Sequence, residues 1–345
     1  MDIRRSLIVG VFTFLFSLIF VSVPAYGSVH TEVLEGVYVL PVAELATTRT
    51  EPDIIEIEND LITIRVLPNR GRLLSSYILK DGEVPYLYQN YRPGPMVLPG
   101  GLHVVEFGGY FLSVPWNTRD RQPYDLEYEI TRAEEELAEV YLWGSDMFLR
   151  TLTEAWVRVR ENSPLVEIEV LITNTSGRRE AEFDLSDFTV FDTGVDATGE
   201  QLLIPAAEAE ILQSLEGWLG DEGDVLPWPD SLDRWTDIEK FIRLRAVTDP
   251  DIPAIGIYHP GEKAAMVKFW NSSDLFMGAE WWTWGVEFED QRGADSYISL
   301  SSTSSTITLA PEESIGFTVY FAGFSDVDED GAYLESLYQR ALELH

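Results

Sequence analysis

The chain has no cysteine. That excludes zinc–thiolate sites, thiol nucleophiles and disulfide staples, so burial alone must hold the fold. Histidine is nearly as scarce, with four in 345 residues. Basic residues are also few: 24 Lys and Arg stand against 59 Asp and Glu, a formal net charge of −35. A field of that sign repels nucleic acid and anionic membrane surfaces, and neither is expected as a partner. The chain also lacks a phosphate-binding loop, a dinucleotide fingerprint, a Gly-x-Ser-x-Gly elbow and a His-Glu-x-x-His pair. No cofactor is expected.

What is present begins with an apolar run. Residues 7–23 follow Arg4 and Arg5, Pro24 breaks the run, and Ala25-Tyr26-Gly27 offers small residues for a peptidase. That order reads as a secretory signal peptide over residues 1–27. It predicts export to the periplasm or the exterior, with the apolar segment as the sole membrane tether if it stays uncleaved. Residues 28–50 are weakly patterned and read as a lead-in segment. Strand signals dominate from residue 51 onward.

Ile55 and Ile57 alternate with Glu56 and Glu58, Asn59-Asp60 makes a turn, and Ile62, Ile64 and Val66 resume the pattern. This is a hairpin by period and by turn chemistry. Residues 156–173 repeat the design around a Glu-Asn-Ser-Pro turn, and residues 305–321 do so around Pro311-Glu312-Glu313. Helical period appears near the end, where Tyr333, Leu334, Leu337, Tyr338, Ala341 and Leu342 share one face. Together these signals predict an all-β antiparallel sandwich over residues 51–325, followed by a short C-terminal helix in 326–345. The irregular stretch 216–240, rich in Trp, Pro, Gly and Asp, reads as a loop that carries function.

Candidate chemistry gathers in a few places. His103 and Glu106 lie in a glycine-flanked segment, Pro99-Gly100-Gly101 to Gly108-Gly109, where close backbone approach is permitted. A His and a carboxylate suit acid–base work, although strand alternation puts them on opposite faces unless a bulge intervenes. Asp187 is a further catalytic candidate. Trp116, Trp228, Trp282 and Trp284, with Arg72, Asp233 and His259, are candidate binding residues, because indoles stack on the apolar faces of sugar rings. Asp326, Asp328 and Asp330 before Gly331 match half of a calcium loop, but Leu337 occupies the twelfth position and no metal site is assigned.

In order along the chain, several motifs resemble galactose-mutarotase-like (aldose 1-epimerase-like) domains, in particular an uncharacterised bacterial family of that fold. They are Asn59-Asp60, Leu67-Pro68, Gly71-Arg72, Tyr86-Leu87-Tyr88, Pro99-Gly100-Gly101, Asn174-Thr175, Trp228-Pro229, Ile257-Tyr258, Trp282-Thr283-Trp284-Gly285, Tyr297-Ile298 and Leu309-Ala310-Pro311. The resemblance implies a large twisted supersandwich with a sugar site on its concave face. Aldose mutarotases place a catalytic His in a strand after the Asn-Thr motif and a catalytic Glu near the C-terminal strands. This chain reads Phe183-Asp184-Leu185-Ser186-Asp187-Phe188 at the first place and has Ser299 at the second. The ring-opening pair is therefore not carried over. Two readings stay open: an exported carbohydrate-binding or carbohydrate-processing protein, and a non-catalytic cell-envelope or interaction protein that keeps the fold without a sugar site.

Overall fold

Alternating burial marks the longest strands. In Thr151–Arg160 every second side chain is buried and the others lie toward solvent, because successive residues of a strand point to opposite faces. The computed structural model describes residues 28–35, 38–42, 46–50, 53–87, 96–98, 102–104, 108–113, 126–146, 149–192, 201–214, 220–228, 241–247, 251–271, 275, 278–284, 297–328 and 333–345. Regular structure in them is nearly all antiparallel strand.

The larger sheet has twelve strands. In spatial order they are β1 (His30–Glu35), β4 (Asp53–Glu58), β5 (Ile62–Leu67), β6 (Arg72–Leu79), β10 (Gly109–Ser113), β16 (Ser186–Asp192), β24 (Tyr297–Thr303), β23 (Gly278–Trp284), β20 (Phe241–Val247), β18 (Glu208–Ser214) and β19 (Val225–Pro227), with β7 (Val84–Pro85) beside β6. The smaller sheet runs β11 (Glu127–Ala133), β12 (Leu137–Asp146), β13 (Thr151–Arg160), β14 (Leu165–Asn174), β26 (Ser314–Phe324), β22 (Ala264–Trp270), β21 (Ala254–His259), β17 (Gln201–Leu203). Three two-stranded pairs complete the set: β2 (Tyr38–Val42) with β3 (Ala46–Thr50), β8 (Met96–Leu98) with β9 (Leu102–Val104), and β15 (Ala181–Phe183) with β25 (Ile307–Leu309).

The two sheets enclose one main core. Ile55, Ile64 and Tyr110 from the larger sheet meet Val157, Ile168 and Phe321 from the smaller, and the Tyr110 and Phe321 rings touch edge to face at 5.1 Å. Each fully buried aliphatic or aromatic side chain of this kind contributes about 1.5–3 kcal/mol. A second apolar cluster lies outside the smaller sheet. There the helix α1 (Leu334–Leu342) buries Leu337 and Ala341 with Phe269, Tyr320 and Phe324. Of the helical period read in the sequence, Leu334, Leu337, Tyr338 and Ala341 form this contact face, whereas Tyr333 and Leu342 stay exposed.

The first two hairpins are present, as β4–β5 and β13–β14. Asn59 ties them together. Its Oδ1 accepts from the amides of Leu61 and Ile62 at 2.8 and 2.9 Å, and its Nδ2 donates to the carbonyls of Arg160 and Ser163. The third expected hairpin is not one. β25 pairs with β15, whereas β26 joins the smaller sheet between β14 and β22. The chain changes partners there because Asn174, fully buried, donates from Nδ2 to the carbonyls of Arg179, Leu309 and Ala310. The expected lead-in segment contains strands: β1 pairs along its length with β4. The side chains of residues 30–34 stay half-exposed or exposed, so this strand is held mainly by backbone pairing and leaves little hydrophobic pattern to read. Residues 1–27 lie outside the described residues. Among the described residues, no helix is long and apolar enough to cross a membrane.

Candidate functional site

Among the described residues, the most constrained polar group is between the sheets. Lys268 on β22 and Asp187 on β16 are both fully buried, with Nζ 2.8 Å from Oδ2. Lys268 also donates to Thr189 Oγ1 at 3.0 Å, and its Nζ lies 5.1 Å from the ring centroids of Tyr110 and Trp270. Asp187 in turn accepts from Trp270 Nε1 at 2.9 Å and from the amide of Ser302 at 3.2 Å. Burial pushes the Lys268 ammonium below the ordinary lysine value, against the pull of Asp187. Burial and then the Asp187 charge drive the Tyr110 phenol well up. Two buried ions remain charged only when paired and hydrogen-bonded, and this geometry supplies both conditions. Asp187, a catalytic candidate from sequence, has its carboxylate committed inside the sandwich.

The opposite face of the same strands is different. Asp187 and Thr189 point inward to Lys268, so alternation turns Phe188 outward. Phe188 stacks on Phe111 with centroids 4.9 Å apart and planes 7° from parallel. The Arg72 guanidinium lies 3.8 Å from the Phe111 centroid, a cation–π distance. Arg72, Phe111 and Phe188 keep only 1%, 8% and 8% of their surface exposed, so this end of the face is closed. Farther along, Phe188 is opposite Ser301, Ser301 opposite Glu280, and Glu280 opposite Arg245. Arg245 is exposed and bonds Glu210 at 2.8 Å, so among the described residues that end is open.

Register also locates the tryptophan segment. Position 282 pairs with 299 and 243, and position 284 with 297 and 241. Both fall on the face of Phe111 and Phe188 by alternation. Position 281 pairs with Leu300 and Leu244, which are core residues, so it falls on the inner face. Trp228, beyond β19, is buried in the main core. His259, at the end of β21, is also buried, with its ring 5.5 Å from Tyr86. His103 sits opposite Val97 in the β8–β9 pair. Glu106, Trp116 and Asp233 lie outside the described residues, as do residues 329–332 of the aspartate-rich loop. Asp328 there pairs with Lys263 at 2.8 Å.

Sequence reading missed Lys268, Phe111 and Phe188. Lys268 was findable: it is the one charge in Ala-Ala-Met-Val-Lys-Phe-Trp, a strand buried at every position, and a charge inside such a run calls for an ion partner. Phe111 and Phe188 carry no comparable signal, because their meeting depends on register between strands far apart in the chain.

No protein-family model matches the chain, and no curated protein matches it in sequence. Solved structures do match in shape. A galactose mutarotase related enzyme from Lactobacillus acidophilus superposes with a TM-score of 0.54 at 12% identity, over 80% of this chain and 99% of that one. This protein has the galactose-mutarotase-like fold. A galactose mutarotase-like protein from Clostridium acetobutylicum gives 0.53 at 10% identity, over 80% and 96% of the two chains. A TPR-domain containing protein from Parabacteroides distasonis gives 0.69 at 13% identity and covers 88% of this chain. The present chain spans 56% of that longer one.

Proposed function

We propose that this is an exported protein that binds carbohydrate on the outer face of its larger sheet without mutarotase chemistry. The observation that carries the reading is the register of that face, which sets positions 280, 282 and 284 beside exposed Arg245, next to the closed Arg72–Phe111–Phe188 stack. Aromatic faces and a guanidinium suit the apolar faces and hydroxyls of a sugar ring. Two of the fold neighbours carry galactose mutarotase in their names, and the N-terminal signal pattern supplies the route out of the cytoplasm. Ring opening needs an acid and a base across the pyranose. Asp187 is committed to Lys268, and Ser299 stands where the glutamate would be.

Glycan-array binding by residues 28–345, alongside Trp284→Ala and Trp282→Ala, tests the proposal. Binding that falls about tenfold or more in either variant supports it, a loss typical of a stacking anchor. Absence of binding to any glycan overturns it and favours the non-catalytic interaction reading. Polarimetry on aldoses separates the chemistry: mutarotation above the uncatalysed rate would contradict the absence of a ring-opening pair.

A further inference from the structure

The outer face of the smaller sheet is divided. Over β26, β22 and β21 it is sealed by α1. Over β11 to β14 the described residues leave it open, and there Tyr141 stacks with Trp143 at 4.9 Å and with Trp156 at 5.1 Å, each pair 23° from parallel. All three rings are half-buried. Leu152 and Leu171, also half-buried, extend the apolar surface along the same alternation. Carboxylates surround it. Glu127 is opposite Trp143 and Glu129 opposite Tyr141 on the neighbouring strand, both exposed. Glu154 accepts from the Tyr141 hydroxyl at 2.6 Å, and Glu169 is opposite Trp156. Of the nearby cations, Arg158 is already bound to Glu139, Glu167 and Glu169, and Arg132 on β11 is opposite Glu139. Partial burial, the Glu154 hydrogen bond and the charges of Glu154 and Glu129 push the Tyr141 phenol up to about 12.

We infer that this open face is a docking surface for an extended, lysine- or arginine-bearing peptide segment of a partner protein. The argument is charge complementarity joined to shape. Rings stacked on one another turn their faces inward and offer solvent a ridge of edges, not the flat platform a sugar ring needs. The aliphatic stem of a Lys or Arg lies well along such a ridge while its charged head reaches a carboxylate. Glu127 and Glu129 are two residues apart on a strand, about 6.8 Å, which is the spacing of alternate side chains in an extended peptide. The surface is separate from the proposed sugar site, so the two inferences stand or fall independently.

Fluorescence anisotropy with a labelled peptide of alternating Lys and Thr is the test. The protein should bind it, with affinity falling as salt rises. Trp143→Ala and Trp156→Ala should each weaken binding about tenfold or more. Glu127→Gln with Glu129→Gln, both exposed and harmless to the core, should weaken it severalfold and flatten the salt dependence. Asp81→Asn with Glu222→Gln removes the same charge elsewhere and should leave binding unchanged. Equal loss in that control, unchanged binding in the glutamine pair, or equal binding of a Gln-Thr peptide would overturn the inference. So would displacement of the peptide by a neutral oligosaccharide.

Discussion

Lys268 and Arg158 each hold carboxylates, one between the sheets and the other on the outside of the smaller sheet. Among the described residues Lys268 has a single acid partner, and both members are fully buried. Arg158 has three, with 19% of its own side chain and 13–46% of theirs exposed. Inside, the ions have no water to fall back on, so the pair is costly to form and far more costly to break. Outside, water and salt compete for every contact, and the three bonds together stabilise modestly. The number of ion pairs around a cation is therefore a poor guide to its energetic weight in this fold.

The sharpest way to break the comparison is Lys268→Met. It leaves Asp187 buried without its cation, and urea unfolding should show a loss of about 3–5 kcal/mol. Adding Asp187→Leu should recover most of that loss, since an apolar pair of similar volume is often neutral. A double variant as unstable as the single would show that Asp187 is needed for its bonds to Trp270 and Ser302, not as a counter-ion. Outside, Arg158→Met should cost about 1 kcal/mol. Its cost should also depend on acid. Burial raises the Glu139 pKa, but the hydrogen bonds from Arg158 and Thr131 outweigh it and hold the carboxyl below its ordinary 4.5. A depressed folded pKa stabilises above the unfolded value and is lost as pH falls through the folded one. The gap between the protein and Arg158→Met should therefore narrow below pH 4.5, measured by thermal unfolding across the acid range. The smallest expected effect is that of salt: about 0.5 M NaCl should shrink the Arg158→Met gap by a few tenths of a kcal/mol and leave the Lys268→Met gap unchanged.

What the sequence made legible follows the range of the interaction. The Asn59 turn, the period-two strands around it and the amphipathic C-terminal helix are local patterns, and each is where its residues place it. The partner change at β25 is not local: Ile307 and Ile315 alternate as if in one hairpin, and only the Asn174 side chain, 135 residues away from Leu309 in sequence, separates them. The candidate site was less legible still. Lys268 and Asp187, and Phe111 and Phe188, meet through register between distant strands, which no window of sequence contains. The Tyr141–Trp143–Trp156 stack stands between these cases. Its period of two is local, but its second strand is set by the turn between β12 and β13.

Asn174 has one more consequence. With Thr175 and Ser176 it spells the acceptor signal for an N-linked glycan. Attaching a sugar would replace a hydrogen on Nδ2, and that nitrogen already donates to three carbonyls from a fully buried position. In the folded protein the signal is silent. A glycan could be added only before β14 closes on its neighbours, and once there it would keep the turn from forming.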